Sequence, residues 1–326
     1  MFKIVERTEN DQKLRFVLSK TTLPIANGLR RVMLSEIDTP AIDTTTISFS
    51  EDLNFSNTSS LHDEFLSHRI GYAVLDVSVD RISDLKFFIC DPDDTDKAFV
   101  NASDDIMNFT TNHFTIIDST TGQRVEPESV FLAENLINRL KPQQQMKTAF
   151  TASVRKVREA DKESSYNHQP GRVKFNYTGD GIPSSFEMEF CTWGQRNLTA
   201  VHVVQQALLI LEGKISKVVG DLKSGPRLRR DNVWESTSSI KIKDEDHTLG
   251  NMLAEAIMQS QQSYENAQNC YVAYQKKHPL ERELELRIKL GNHEQSVYDC
   301  LLDSCLALHK KLQGMSKSFE QAISSG

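Results

Sequence analysis

A short pattern occurs twice in this chain, once near each end, and the two copies align without a gap. The first runs Phe16-Val-Leu18, a polar turn, then Ile25-Ala-Asn-Gly-Leu-Arg-Arg-Val-Met33. The second runs Ile240-Lys-Ile242, a polar turn, then Leu249-Gly-Asn-Met-Leu-Ala-Glu-Ala-Ile257. Each copy reads as a period-2 strand, a capped turn and an amphipathic helix opening with a small residue and Asn. One supersecondary unit used twice implies two related halves packed about a pseudo-twofold axis. Such a chain is expected to be a scaffold built like a dimer, with no catalytic pocket.

A length of 326 residues leaves room for about two domains. No apolar run approaches the roughly 20 residues of a membrane span, and the Met1-Phe-Lys-Ile-Val-Glu start lacks a secretory signal's apolar core. Cys90, Cys191, Cys270, Cys300 and Cys305 are scattered without a Cys-x-x-Cys pair. That spacing argues for a reducing compartment and against a disulfide framework or zinc knuckle. A net charge of −7 argues against a protein that binds DNA by counterion release. Charge is uneven, however: acids dominate from Asp76 to Glu128 and bases from Lys141 to Lys174. Two readings stand: solvated faces on opposite sides of one domain, or a basic docking surface for an acidic partner.

After the first copy, strand-like stretches are expected at Thr45–Phe49, Ala73–Val77, Leu85–Ile89 and Phe114–Ile117, with short helices between them. Gly171–Tyr177 and Ser185–Phe190 return to strand. A long helix follows, with Val201, Val204, Leu208, Leu211, Ile215, Val218 and Leu222 in steps of three and four, a heptad seam. Asn197 or Thr199 is its expected N-cap, and Gly220 loosens its last turn. Lys223 to Ser238 lacks a sustained period and reads as a linker. Tyr271–Tyr274 and Leu284–Leu290 read as a hairpin around His278-Pro279. A second seam of Leu301, Cys305, Leu308, Leu312, Met315, Phe319 and Ala322 closes the chain, so that the two long helices can pack on each other. Gly314, inside that helix, suggests close helix approach. The expected fold is α+β: two strand–helix half-units forming an intramolecular pseudo-dimer, plus an insert. The expected boundaries are 1–43 with 177–223, an insert over 44–176, a linker over 224–238 and a second half over 239–326.

Several clusters invite chemical readings. His62 and His68 flank acids, but a zincin pair sits at i and i+4 on one helix face, and here the separation is six. A polar docking helix fits better than a metal hydrolase. Near Asp244, Asp246 and His247, the expected role of Asp246 or Thr248 is helix capping rather than acid–base work. Arg30 and Arg31, on the polar face opposite Leu29 and Met33, suit ion pairs with a protein partner better than a phosphate clamp. Cys300 and Cys305, five apart, are expected on different faces and unbridged.

Four motifs together are similar to known proteins. Ala26-Asn-Gly-Leu-Arg-Arg-Val-Met-Leu-Ser-Glu-Ile37 resembles the first helix of the α-type subunit of cellular RNA polymerases, which includes bacterial α, archaeal D and the third-largest subunit of polymerase II. Asn57 to Gly71 resembles that subunit's second signature, and Phe190-Cys-Thr-Trp-Gly-Gln195 a third. Asp244-Glu-Asp-His-Thr-Leu-Gly-Asn-Met-Leu253, with His278-Pro-Leu-Glu281, resembles the smaller partner, archaeal L or the eleventh subunit of polymerase II. These partners are usually separate proteins; one chain carrying both resembles the fused subunit of some large eukaryotic DNA viruses.

The resemblance implies a non-catalytic scaffold for the two large catalytic subunits, with small zinc-bearing subunits as neighbours, DNA contacted only through the complex, and no homo-oligomer. The implied location is the virion or host cytoplasm, or the nucleus. The implied dimerisation core is Phe16, Leu18, Leu29, Val32, Met33, Leu208, Leu211 and Ile215 in the first half. In the second half it is Ile240, Ile242, Leu253, Ile257, Leu308 and Leu312. Arg30, Arg31, Asp63, Glu64, His68 and Arg69 are the implied partner-docking residues. Relatives carry zinc or iron–sulfur in the insert, but Cys90 is the lone cysteine of the expected insert, too few for either site. No cofactor is expected, and elemental analysis of the purified chain should find neither zinc nor iron; a stoichiometric amount of either would contradict this.

Overall fold

The computed structural model describes residues 1–49, 56–157, 169–177, 183–193, 198–224, 238–262, 269–278, 283–291 and 296–325. The first half opens with β1 (Phe2–Arg7), β2 (Lys13–Ser19) and the helix α1 (Leu23–Ser35). In β2 the alternation of Lys13, Arg15 and Val17 with Leu14, Phe16 and Leu18 puts the second set inside, fully buried. Pro24 lies in the first turn of α1, which has no side-chain cap, since Thr22 at the N-cap makes no capping bond. The capped turn expected in both copies is therefore side-chain capped only in the second.

The chain then enters β3 (Thr39–Ile42), β4 (Ser56–Asn57), α2 (Asp63–Gly71), β5 (Leu85–Ile89), β6 (Phe99–Val100), β7 (Met107–Thr110), β8 (Thr115–Asp118), β9 (Arg124–Val125), β10 (Leu136–Leu140) and β11 (Gln145–Arg155). It returns through β12 (Gly171–Tyr177) and β13 (Ser185–Thr192) to α3 (Ala200–Lys223). The first half-sheet has the order β1-β2-β13-β12, all antiparallel. β12 pairs with β13 along its whole length, and β3 pairs with β11. Strand pairing thus places 171–177 with the half-sheet and 39–42 with the insert, where the sequence led us to expect an insert over 44–176. Ile42 accordingly sits in the insert's own core, separate from that of the two halves.

β11 organises the insert, pairing with β3, β4, β5 and β6. Two strands expected nearby do not form. Thr45–Phe49 begins instead as a 3₁₀ turn over Thr44–Thr46, because Asp43 Oδ1 accepts from the Thr45 N–H and hydroxyl at 3.1 and 2.6 Å. Ala73–Val77 makes one isolated bridge, Leu75 to Phe131, flanked by the Asp76 N–H on the Val130 carbonyl at 2.8 Å and the Leu132 N–H on the Val74 carbonyl at 2.9 Å. Among the described residues α2 is the insert's one α-helix, the other helical pieces being 3₁₀ turns. The basic run after Lys141 is engaged within the chain: Lys147 Nζ donates to the Asp96 carbonyl at 2.6 Å, Arg155 pairs with Asp43, and Lys156 lies 3.7 Å from Asp38. Arg158 and Lys162 lie outside the described residues.

The second half repeats the first with fewer parts: β14 (Ser238–Lys243), α4 (His247–Gln261), β15 (Tyr271–Gln275), β16 (Glu283–Lys289) and α5 (Val297–Ser324), with sheet order β14-β16-β15. The hairpin tip at Pro279 and the linker over 225–237 lie outside the described residues. Asp246, not Thr248, caps α4, its Oδ1 accepting from the Thr248 N–H at 2.8 Å. Thr199 caps α3 through the His202 N–H at 3.1 Å, and α3 continues through Gly220 to Lys223. Cys300 and Cys305 are both buried and unbridged, because α5 is covered by α3 and α4 together, so different faces of the helix are enclosed. Burial raises both thiols, Cys305 up to about 12, so these two stay protonated at neutral pH. None of the described helices is long and apolar enough to cross a membrane.

Gly314 does not mark close helix approach, because a Cβ built there meets nothing within 4 Å. Gly314→Ala should therefore stabilise the chain by about 1 kcal/mol through helix propensity alone. Urea unfolding should show a higher midpoint at an unchanged slope; a lower midpoint would mean that the position needs glycine.

Candidate assembly interface

The halves meet at equivalent positions of the repeat. In the alignment that places Leu29 on Leu253, Gly28 falls on Met252, and these two residues touch across the α1–α4 crossing. A Cβ on Gly28 would lie 2.7 Å from Met252 Sδ, so the missing side chain of one helix is the space filled by the other's thioether. Beside this contact Arg31 reaches from α1 into the second half, Nε donating to Thr248 Oγ1 at 2.8 Å and Nη2 lying 3.6 Å from Asp246 Oδ2. Asp246 therefore caps its own helix with one oxygen and faces the first half with the other. Arg30 instead donates to Asn27 Oδ1 at 2.9 Å within α1, and its pKa is lowered by burial and by Arg31.

The long helices form the second layer of contact. Tyr298 Oη, at the start of α5, donates to the Leu222 carbonyl at the end of α3 at 2.6 Å. Ser216 meets His309 at 2.9 Å and Ser316 bonds Glu212, so the helices run antiparallel. At its far end α5 delivers Phe319 against Phe2 and Phe16 of the first half-sheet, at ring-centroid distances of 5.0 and 6.4 Å. All fourteen residues of the implied dimerisation core are buried in one apolar cluster that spans both halves.

Within that cluster sits a charged group that sequence reasoning missed. Lys214 Nζ lies 2.9 Å from Glu36 Oε2 and 3.0 Å from Glu245 Oε2, with side chains only 10, 8 and 6% exposed. Glu36 closes α1 and Glu245 precedes α4, so one lysine ties both halves to α3. Removing one partner of such a buried group leaves a charge uncompensated, at a cost of about 3–5 kcal/mol. A lysine beside Ile215 in an otherwise apolar seam was its one sequence signal.

The other implied docking residues lie on α2, remote in sequence from this seam. Leu66 and Ile70 seat the helix on the insert core, and Arg69 Nη1 donates to the Ile137 carbonyl at 3.0 Å. Asp63 Oδ1 accepts from Asn57 Nδ2 at 2.7 Å, while Asp63 and Glu64 face solvent and His68 is half-buried. His62 is the N-cap, its Nδ1 accepting from the Glu64 N–H at 3.4 Å. Among the described residues no group of three or more His, Cys, Asp or Glu side chains is placed to hold a metal. Phe65 on α2 and Tyr72 at its C-cap, two turns apart, stand 62 and 44% exposed. Exposed aromatics beside charges have the composition of a protein interface.

Exchanging the Gly28–Met252 pair tests the crossing. Gly28→Met alone should destabilise by about 1–3 kcal/mol through overpacking, and Met252→Gly alone by about 2–5 kcal/mol through the void and the lost side chain. The exchanged double variant should recover at least about 1 kcal/mol of their sum. Strict additivity in urea unfolding would mean that the two positions do not share one space.

Comparison with known proteins agrees with this geometry. Residues 15–215 match the RNA polymerase Rpb3/Rpb11 dimerisation domain, and residues 237–318 match a second model of the same description. Similar curated proteins include the DNA-directed RNA polymerase II subunit RPB3 of Schizosaccharomyces pombe, 45% identical over 75 residues, 23% of each chain. The subunit 3 of RNA polymerases II, IV and V of Arabidopsis thaliana is 38% identical over 85 residues, 26% of this chain and 24% of that one. The Rpo3 subunit of Thermococcus kodakarensis is 37% identical over 82 residues, 25% of this chain and 28% of its own. The chain thus spans about a quarter of the length of the curated relatives it matches. The first match covers more than half of the chain and a second dimerisation module follows it, so the chain belongs to the RNA polymerase Rpb3/Rpb11 dimerisation-domain family.

Proposed function

We propose that this protein is a non-catalytic assembly subunit of a multisubunit DNA-dependent RNA polymerase, carrying a D-like and an L-like partner on one polypeptide. The observation that carries this reading is the shared core: two copies of a dimerisation module bury their equivalent helices against each other within one chain. A module that serves heterodimer assembly elsewhere in the family is here already paired, which leaves its outer faces for the large subunits. The small zinc-bearing subunits are further expected neighbours, DNA is reached only through the complex, and homodimers do not form. The fused arrangement favours an origin in a large DNA virus, with transcription in virion, host cytoplasm or nucleus.

Of the implied docking residues, the α2 set suits a large-subunit contact: Asp63, Glu64, His68 and Arg69, joined by Phe65 and Tyr72. Arg31 suits it less, because its guanidinium already holds the second half through Thr248 and Asp246. Arg30 keeps the docking role on the same helix face. Purification through a tagged chain, followed by mass spectrometry, should recover two very large polypeptides in equal stoichiometry. Phe65→Ser should leave circular dichroism unchanged and weaken that recovery by about tenfold or more, as loss of an aromatic anchor does. A tagged chain that purifies alone from its native source would overturn the function; full recovery with Phe65→Ser would overturn only the α2 docking face.

A further inference from the structure

The pseudo-twofold axis makes the buried Lys214 group a template against which the other side can be compared. The alignment of Leu29 with Leu253 also places Glu36 on Ser260 and Thr21 on Glu245. Along the long helices, Val204, Leu208, Leu211, Ile215, Val218 and Leu222 fall on Leu301, Cys305, Leu308, Leu312, Met315 and Phe319, every one buried. That same register places Lys214 on Lys311. The lysine is thus present on both sides of the axis, but its two carboxylates are present on one. In the repeat register their positions fall on Ser260 and Thr21, and no carboxylate among the described residues lies within ion-pair distance of Lys311.

What remains is a cavity of about 400 Å³ between α1, α4 and α5, lined by Thr22, Ile25, Met252, Ser260, Ser304 and Lys311. Its polar groups are incompletely satisfied. The Thr22 hydroxyl is buried without a hydrogen-bond partner, as is that of Thr21, which precedes it in the chain and lies outside the lining. Ser304 donates to Ser260, which donates to the Ile257 carbonyl at 2.8 Å. Two acids also border the space: Glu255 accepts from Gln259 Nε2 at 2.9 Å, and Asp303 is exposed. Burial pulls the Lys311 pKa below the usual lysine value, with Glu255 opposing. Burial first, then Lys20 and Lys311, lower the Met1 ammonium pKa.

We propose that this cavity is a carboxylate-binding site, in which a ligand carboxylate takes the place that Glu36 and Glu245 occupy around Lys214, pairing with Lys311 between the α1 N-terminus and Ser260. A half-buried ammonium in one cavity with an orphaned hydroxyl donor is the arrangement that an anion completes. The carboxylate is carried either by a small acid or by an acidic side chain of a neighbouring protein.

Glutarate, whose two carboxylates match the pair around Lys214, is the probe for the intact chain. Titration should shift the Lys311 side-chain resonance saturably and raise its pKa, while sulfate at equal ionic strength should not. Lys311→Gln, at a half-exposed position that tolerates the change, should weaken glutarate binding by about tenfold or more. Ser260→Glu supplies one missing carboxylate from within, so it should abolish glutarate binding and raise the melting temperature without ligand. No saturable shift, an equal response to sulfate, or unchanged affinity in Lys311→Gln would each overturn the site. Carbodiimide coupling in the complex isolated through the tagged chain then separates the sources. An amide between Lys311 and another subunit's Asp or Glu assigns the carboxylate to a protein, and glutarate binding without that amide assigns it to a small acid.

Discussion

Each half of this chain is a thin antiparallel sheet with one helix laid across it, and such a unit leaves apolar side chains that the rest of the chain must cover. The long helices resolve this. α5 leaves the second half and runs antiparallel to α3 until Phe319 reaches Phe2 and Phe16 of the first half-sheet. The core of the first half is therefore finished by the last helix of the second. At roughly 25 cal/mol per Å² of apolar surface removed from water, burial on this scale dominates the folding of either half. Everything else in the molecule is arranged around that joint burial. The α1–α4 crossing can be close because Gly28 presents no side chain to Met252, and the insert is hung from the strands that leave and re-enter the first half.

Apolar burial alone does not choose which halves pair. A chain with two copies of one module could pair first half with first half from another molecule, and the hydrophobic seams would accept that nearly as well. The polar groups discriminate. Arg31 finds Asp246 and Thr248 in the second half; a copy of the first half would offer Thr22 and Pro24 at those positions. Lys214 needs Glu245, for which the first half has Thr21. Buried charges of this kind contribute little net stability, but they penalise the wrong partner through unpaired groups. The two sides of the pseudo-axis have consequently diverged in chemistry while remaining alike in shape, one closed by an ion group and the other left as a cavity.

Much of this is legible in the sequence. β2 with α1, β14 with α4 and the two long helices each carry a strong period, and apolar faces of that regularity have few ways to be buried. The insert was less legible for a physical reason. β11 alternates Met146, Thr148, Phe150 and Ala152 inward against Gln145, Lys147, Ala149 and Thr151, a contrast too weak to stand out, yet it is the strand to which four others pair. Thr45–Phe49 showed the opposite error: β-branched residues suggest a strand, but the Asp43 carboxylate offers nearer hydrogen bonds than any neighbouring backbone. Gly314 misled because a glycine inside a long packed helix suggests contact, and here it faces open space.

For the interface, the sequence alone determined the repeat, the apolar stripes and hence the pairing of two like halves, because periodicity is a local property written residue by residue. It did not reveal that Gly28 and Met252 fill one space, that Arg31 serves the partner half rather than solvent, or that Lys214 gathers the carboxylates of Glu36 and Glu245 from opposite ends of the chain. Those are relations across the pseudo-axis, and only the docking of one half on the other brings the groups within hydrogen-bonding distance. The contrast between Lys214 and Lys311 belongs to the same class. Both are lysines in similar helices; their surroundings differ because tertiary packing sets Glu36 and Glu245 against one of them, whereas the repeat register has Ser260 and Thr21 at the positions matching those two carboxylates.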